Sequence, residues 1–332
     1  MRKLLLLSLT TLTILFFSAC SSKRVYEPQN VVDDWPNQGS INDAIIDVSS
    51  NVALMENRKV LTKDDSIDVT IEESYRLLSS SDGWILSSTI DGKLNIQFIG
   101  DSSLDVKFDL QKTIASASIK DDVLAVLFAD NEMALYSISS KELLLKEQGG
   151  RTLAVDFRIV NPYFMNDLVL FATLDGKVVI VNLKSKKRLR TTIVSSEDNF
   201  NNIIYFNIVD NKIIAATGHK ILSLSTKEIR EKYEIRNIAY SDKYIFVTTK
   251  QGEIISLTSD LEQIDKIKFP FAHFLGLIVK DGKIYALEKE GYMVEAPINL
   301  SSFNVYDVDI EEGFVFVSDK VFFINDEYIS VE

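Results

Sequence analysis

The chain has 332 residues, a formal charge of −12, 46% hydrophobic residues and 25% charged ones. An acidic balance of this size disfavours nucleic acid and anionic lipid head groups, since both bind through clustered Lys and Arg. A single cysteine excludes an internal disulfide, and a chain this long and apolar has the material for a large core without one.

The N-terminus has the three-part layout of an export signal: Arg2 and Lys3, an apolar run from Leu4 to Phe17, then Ser18 and Ala19 ahead of Cys20. The run is 14 residues, too short to cross a ~30 Å hydrocarbon core as a helix and suited to a cleaved segment. The small-small-Cys ending resembles the lipobox of bacterial lipoproteins, in which the cysteine sulfur is acylated before the bond at Ala19 is cut. Phe17 stands where Leu is usual. Cys20 is therefore the expected lipidation site, the alternative being an ordinary signal with an incidental cysteine. Loss of residues 1–19 removes two positive charges and leaves −14. Several acyl chains on one cysteine hold a protein durably to a membrane. Residues 20–40, with Pro28, Pro36 and Gly39 and no periodicity, read as a lipidated tether in which Trp35-Pro36 is a point of local docking.

From residue 41 to 332 one unit recurs: an apolar strand, a turn of one or two polar or glycine residues, and a second apolar strand. The clearest copy is Leu168 to Thr173, Asp175-Gly176, then Lys177 to Leu183; Asp91-Gly92 repeats it. Asp-Gly between apolar runs signals a hairpin, here expected as a type I′ turn. With related turns near Asn57, Asp130, Gly218, Gln251, Glu290 and Asp319, eight hairpins are spaced by 34, 39, 45, 43, 33, 39 and 29 residues. That period, without a 3.6-residue pattern, predicts propeller blades. Further strands flank each hairpin, for example Ile203 to Ile208 and Lys232 to Ile235, which makes four strands per unit. Ile213 to Ala216 and Phe314 to Val317 are apolar on both faces, as blades sandwiched between neighbours require. The expected fold is an all-β propeller with eight blades of four antiparallel strands. Seven is the alternative if the first and last hairpins share one closing blade. Asp281-Gly282-Lys283 falls by register before a hairpin strand and is assigned no binding role.

Chemistry-bearing clusters are sparse. His219 lies in a turn and His273 beside Phe271 and Phe274, where it reads as a packed aromatic. Nucleophile-elbow and phosphate-loop motifs are absent. The acidic pairs Asp33-Asp34, Asp64-Asp65, Glu72-Glu73, Asp121-Asp122 and Glu311-Glu312 lack a calcium-loop pattern and read as solvated turns. Asp307 and Asp309, on one face of a strand, are candidates for lining a polar central channel. No catalytic, cofactor-binding or metal-binding residue is expected.

At Phe171 to Leu183 the chain resembles the repeat of quinoprotein-like propellers, in which a strand ending in a small residue meets Asp-Gly and the next closes with Asn- or Asp-Leu. The likeness is partial at Ser88 to Phe98 and Thr248 to Leu257, and Trp-Asp dipeptides of the WD40 type are absent. Together with the lipobox, this repeat resembles the BamB family of outer-membrane assembly lipoproteins. The resemblance implies an eight-bladed propeller without quinone or catalysis that binds the periplasmic domains of the barrel-insertion subunit. Ser21 after the cysteine is similar to lipoproteins sent to the outer membrane. The expected function is thus a lipid-anchored periplasmic scaffold that binds envelope proteins and no nucleic acid. The alternatives are an accessory lipoprotein of another envelope system, respiratory or cell-wall binding, and a quinoprotein-type enzyme.

Overall fold

Turn chemistry sets the repeat. In the hairpin around Asp175, the amide of Thr173 donates to the Lys177 carbonyl at 2.9 Å and the amide of Lys177 donates to the Thr173 hydroxyl at 3.0 Å. Leu174, Asp175 and Gly176 form a three-residue loop in which only Gly176 has positive φ, at 79°. Thr89 and Gly92 repeat the device, with Gly92 at φ 93°. These are type I turns closed by a left-handed glycine, and not the type I′ turns expected of Asp-Gly. True two-residue turns with positive φ at both positions occur elsewhere, at Asp82-Gly83, Asp210-Asn211 and Asp281-Gly282.

The computed structural model describes residues 24–64 and 66–331; Cys20 and residues 1–19 lie outside them. Within the described residues the chain forms eight antiparallel four-stranded sheets. We letter the strands of each blade A to D from the ring axis outward. Blades 1 to 7 are continuous in sequence (45–70, 76–109, 114–148, 163–193, 205–232, 235–268 and 274–307). Blade 8 takes strands A to C from Val315–Val317, Val321–Ile324 and Glu327–Ser330, and strand D from Gln38–Ser40 at the other end of the chain. The only helical element among the described residues is the 3₁₀ turn Ser102–Leu104.

The core divides into eight apolar clusters, one in each gap between neighbouring blades. Leu86 and Ile96 of blade 2 meet Leu124 and Phe128 of blade 3, and Ala53 and Leu61 of blade 1 meet Phe316 of blade 8. A cluster in every gap, the 8-to-1 gap included, is what makes the ring closed. Strands B and C are buried on both faces for this reason, as at Lys212–Ala216, where every residue after Lys212 is buried. Along the axis, hydroxyls and amides stitch inner strands together: Ser79 and Ser81 donate to the carbonyls of Ala117 and Ile119 at 2.7 and 2.8 Å, and Asn237 donates to that of Phe274 at 3.1 Å.

Several sequence expectations need correction. The turn at Asp319 joins strands A and B; the B–C turn of blade 8 is Asn325-Asp326, which explains the short final interval of 29 residues. The fourth strand of blade 5 is Glu228–Lys232, and Ile235 already opens blade 6. Phe314 precedes its strand and is 50% exposed. The propeller also begins before residue 41, because Gln38–Ser40 completes blade 8 and the preceding segment is docked. Trp35 is 8% exposed, its Nε1 donates to the Ser330 carbonyl at 2.8 Å, and it sits edge-on to Tyr285 and Tyr306 in the gap between blades 7 and 8. Tyr26 fills the gap between blades 6 and 7 against Phe269 and Tyr292. Between these two anchors the amide of Val32 donates to the carbonyl of Val305, and Asp34 bridges Asp307 in parallel fashion.

Candidate interaction surfaces at the two ends of the ring

Antiparallel alternation sends all A–B turns and C–D loops to one end of the ring and all B–C turns and D–A connections to the other. The two ends differ in chemistry. The A–B turns carry Asp82, Asp121, Asp122, Asp167, Asp210, Asp242, Asp281 and Asp319, all exposed, against Lys243 and Lys320 in the same turns. Every blade but the first contributes. Asp and Asn tolerate positive φ, and Asp82, Asp121, Asp210, Asp242 and Asp281 adopt it, so local geometry favours these residue types. Geometry alone does not select the charged member of the pair, and strand A is innermost, so the aspartates ring the mouth of the channel. The Ser137 hydroxyl, then the amide and hydroxyl of Ser139, hold the Asp122 carboxyl below its ordinary range and keep it ionised.

The opposite end carries the most exposed apolar side chains, set among exposed carboxylates such as Glu72, Glu73, Glu197, Asp198, Glu311 and Glu312. Ile90, in the B–C turn of blade 2, is 84% exposed, and Phe157, in the connection from blade 3 to blade 4, is 86% exposed. Leu153, Phe200, Phe271 and Phe314, all in D–A connections, are at least half exposed. The long connection 149–162 crosses the mouth of the channel here. Asp156 accepts from the backbone and side chain of Arg158, Asn202 brackets both residues with hydrogen bonds of 2.6 to 3.1 Å, and Arg158 donates to the carbonyl of Arg236 in blade 6. Further along, Asn161 donates to Ser50 and Asn51 in the A–B turn of blade 1 at 2.7 and 3.1 Å, so the connection runs from this mouth through the channel toward the other end. Asp156, Arg158 and Asn161 of this connection turn to partners within the ring, whereas Leu153 and Phe157 are exposed.

Asp175 ties this end together. Its carboxylate accepts from Thr173 at 2.6 Å, Asn131 of the neighbouring blade at 2.9 Å and the amide of Gly150 at 3.1 Å, and pairs with Lys177. Burial alone would raise its pKa; Lys177, Thr173 and Asn131 outweigh burial and hold it below the ordinary carboxylate range. A depressed folded-state pKa means stabilisation that is complete above the unfolded value of ~3.9 and disappears as pH falls through the folded value. Asp175→Asn is expected to cost about 1–3 kcal/mol at pH 7 and to flatten the loss of stability between roughly pH 4 and 2. Urea unfolding across that range measures both effects.

The structure separates the other residues singled out in the sequence. Asp307 and Asp309 lie at the outer edge of blade 7, beside Asp34, and line no channel, because strand D is outermost. His273 does not pack between its phenylalanines: Phe271 is exposed, and the His273 Nε2 lies 2.6 Å from the Arg236 guanidinium. Burial, and then Arg158, push the Arg236 pKa down. His219 stands in its turn with Nδ1 3.3 Å from Glu234. The acidic pairs are dispersed over several connections, with Asp65 outside the described residues. Among the described residues no three His, Cys, Asp or Glu side chains are grouped to hold a metal, and no helix is long and apolar enough to cross a membrane. Sequence reasoning missed both ends. The acidic one had a signal, since an Asp precedes each B–C turn of blades 2 to 7 by eight or nine residues.

Comparison with solved structures places BamB from Moraxella catarrhalis over 89% of this chain and 99% of that one, with a TM-score of 0.68 and 11% identity. The C-terminal WD40 domain of Sif2 superimposes over 91% of this chain and all of that one, with a TM-score of 0.64 and 10% identity. Identities this low establish a shared propeller fold. In sequence, the chain is 34% identical over 221 residues to the plasminogen-binding protein PgbB of Helicobacter pylori strain J99, and 33% identical over the same length to PgbB of strain 26695. Each match takes in 65% of this chain and 41% of the relative, so the chain spans less than half the length of the curated proteins it matches. No family model matches.

Proposed function

We propose that this chain is a lipid-anchored scaffold on the periplasmic face of the outer membrane, performing no bond-making chemistry, that holds other proteins during assembly of outer-membrane β-barrels. The observation that carries this reading is the polarity of the ring. The N-terminal segment leaves from the B–C/D–A end, beside Phe271, and the A–B end with its aspartates is left free for a partner. The BamB-like propeller supports a scaffold, and the likeness to PgbB supports a protein-binding role at the cell envelope. A ring of aspartates around a channel mouth complements a basic surface and speeds encounter more than it adds affinity.

The partner expected on this reading is the set of periplasmic domains of the barrel-insertion subunit. The combined variant Asp82→Asn, Asp121→Asn, Asp242→Asn, Asp281→Asn preserves residues that tolerate positive φ and removes four charges. Its binding to those isolated domains is expected to be about tenfold weaker at low ionic strength, with a shallower salt dependence and an unchanged melting temperature. Equal binding by variant and natural chain would reject the acidic end as the contact. Absence of binding, together with unchanged outer-membrane barrel content after gene deletion, would reject the assembly role. The likeness to PgbB favours a second reading, in which the same ring is displayed outward and holds a soluble protein; protease treatment of intact cells degrades it only in that case.

A further inference from the structure

The docked N-terminal segment fixes where a lipid at Cys20 would leave the ring. Arg24, the first described residue, lies with its guanidinium 5.6 Å from the centre of the Phe271 ring, in the connection between blades 6 and 7. Tyr26, two residues on, is buried at the same end against Phe269 and Ala272. Cys20 stands four positions before Arg24, and four fully extended residue steps reach about 14 Å. An acylated Cys20 therefore keeps the end of the ring that carries Phe271 close to the bilayer surface, and cannot present the acidic end to it across the depth of a blade.

That same end carries the most exposed apolar side chains of the described residues, Phe157 and Ile90, together with Leu153, Phe200, Phe271 and Phe314. They project from connections and turns around the rim of the ring. Asp156 and Arg158 of connection 149–162 pair with each other and with Asn202 of the next connection. Aromatic and aliphatic tips on loops suit the boundary between head groups and acyl chains.

We infer that the B–C/D–A end of the propeller rests on the membrane, with Phe157, Leu153, Ile90 and Phe271 entering the interface, while the acidic A–B end faces away from it. This rests on the reading of Cys20 as the lipidated residue. With a mature charge of −14 the attraction is apolar and requires a largely zwitterionic surface.

The test uses the purified lipidated protein in vesicles of phosphatidylethanolamine with a minor fraction of phosphatidylglycerol. Acylation consumes the only natural thiol, so cysteines introduced one at a time by Phe157→Cys, Ile90→Cys, Asp121→Cys and Asp319→Cys can carry an environment-sensitive fluorophore. Labels at 157 and 90 are expected to shift to the blue and to be quenched by lipid-borne nitroxide; labels at 121 and 319 are expected to remain aqueous. Aqueous behaviour at all four sites in a protein whose N-terminal peptide has the mass of an acylated cysteine would overturn the orientation and leave the anchor standing. Shielding of 157 and 90 only after a partner protein is added would overturn it in favour of a protein contact. A chain starting at Ser21 separates the two readings: it is expected to float weakly with the same vesicles, and Leu153→Ser with Phe157→Ser to reduce that binding about tenfold or more. An unmodified Cys20 removes the anchor, and failure of the Ser21 chain to float then removes the membrane-facing end as well.

Discussion

A chain starting at Ile41 is expected to lose the closed ring: insoluble or oligomeric on expression, with a loss of roughly 5 kcal/mol or more in whatever fraction stays monomeric. Without Gln38–Ser40, the strand Glu327–Ser330 becomes an unpaired edge, and blade 8 falls to three strands. An open edge of this kind pairs with other chains. The truncation also removes Trp35 and Tyr26, which close the gaps between blades 7 and 8 and between 6 and 7. Trp35→Ala isolates the packing contribution: it keeps the strand and is expected to cost about 3–5 kcal/mol by urea unfolding, with the protein still monomeric. Light scattering separates the variants. A monomeric Ile41 chain with the stability of the natural protein would show that the remaining seven complete blades hold the ring closed unaided.

Gly252→Ala is expected to be among the most damaging single-atom-group additions in the chain. Gly252 has φ 74° at the end of a B–C turn, and its carbonyl accepts the amide of Phe269 at 2.7 Å. A Cβ at this position would lie 2.2 Å from the Phe269 carbonyl oxygen and 3.2 Å from Ala272 backbone atoms. Relief requires moving the connection that seats Phe269, itself buried between Tyr26, Phe274 and Phe303. The left-handed conformation costs about 1–2 kcal/mol and the displaced connection brings the total to roughly 3–5 kcal/mol. Gly282→Ala is the control: its φ is also 74°, but nothing lies within 4 Å of the added carbon, so only the conformational cost is expected. Equal destabilisation by the two substitutions in denaturant titrations would refute the clash.

Gly92 and Gly176 show that this is a repeated device. Each accepts the amide of the residue entering the D–A connection, Leu110 and Val194, and each would place a Cβ within 2.6 Å of backbone oxygen or nitrogen. Tight stacking of B–C turns under D–A connections is why glycine recurs at these positions. The sequence shows the glycines and the spacing, but the clash partner lies in the D–A connection that follows and is visible only in the fold.

The blade period, the strands buried on both faces and the turn positions of blades 1 to 7 were legible from residue order, because each arises within some 40 consecutive residues, as in the strand–turn–strand run from Leu168 to Leu183. Closure was not. Gln38–Ser40 carries no apolar pattern and acquires its strand by pairing with residues almost the whole chain away, just as Trp35 finds its acceptor 295 positions on at Ser330. The placement of the A–B aspartates at one end and of Phe157, Phe200, Phe271 and Phe314 at the other likewise depends on strand direction, which alternates with every turn. By itself the sequence determined that blades form, since hairpin geometry and apolar alternation are local; only the tertiary structure decided how the ring locks and at which end each turn emerges, since both depend on contacts that local periodicity does not encode.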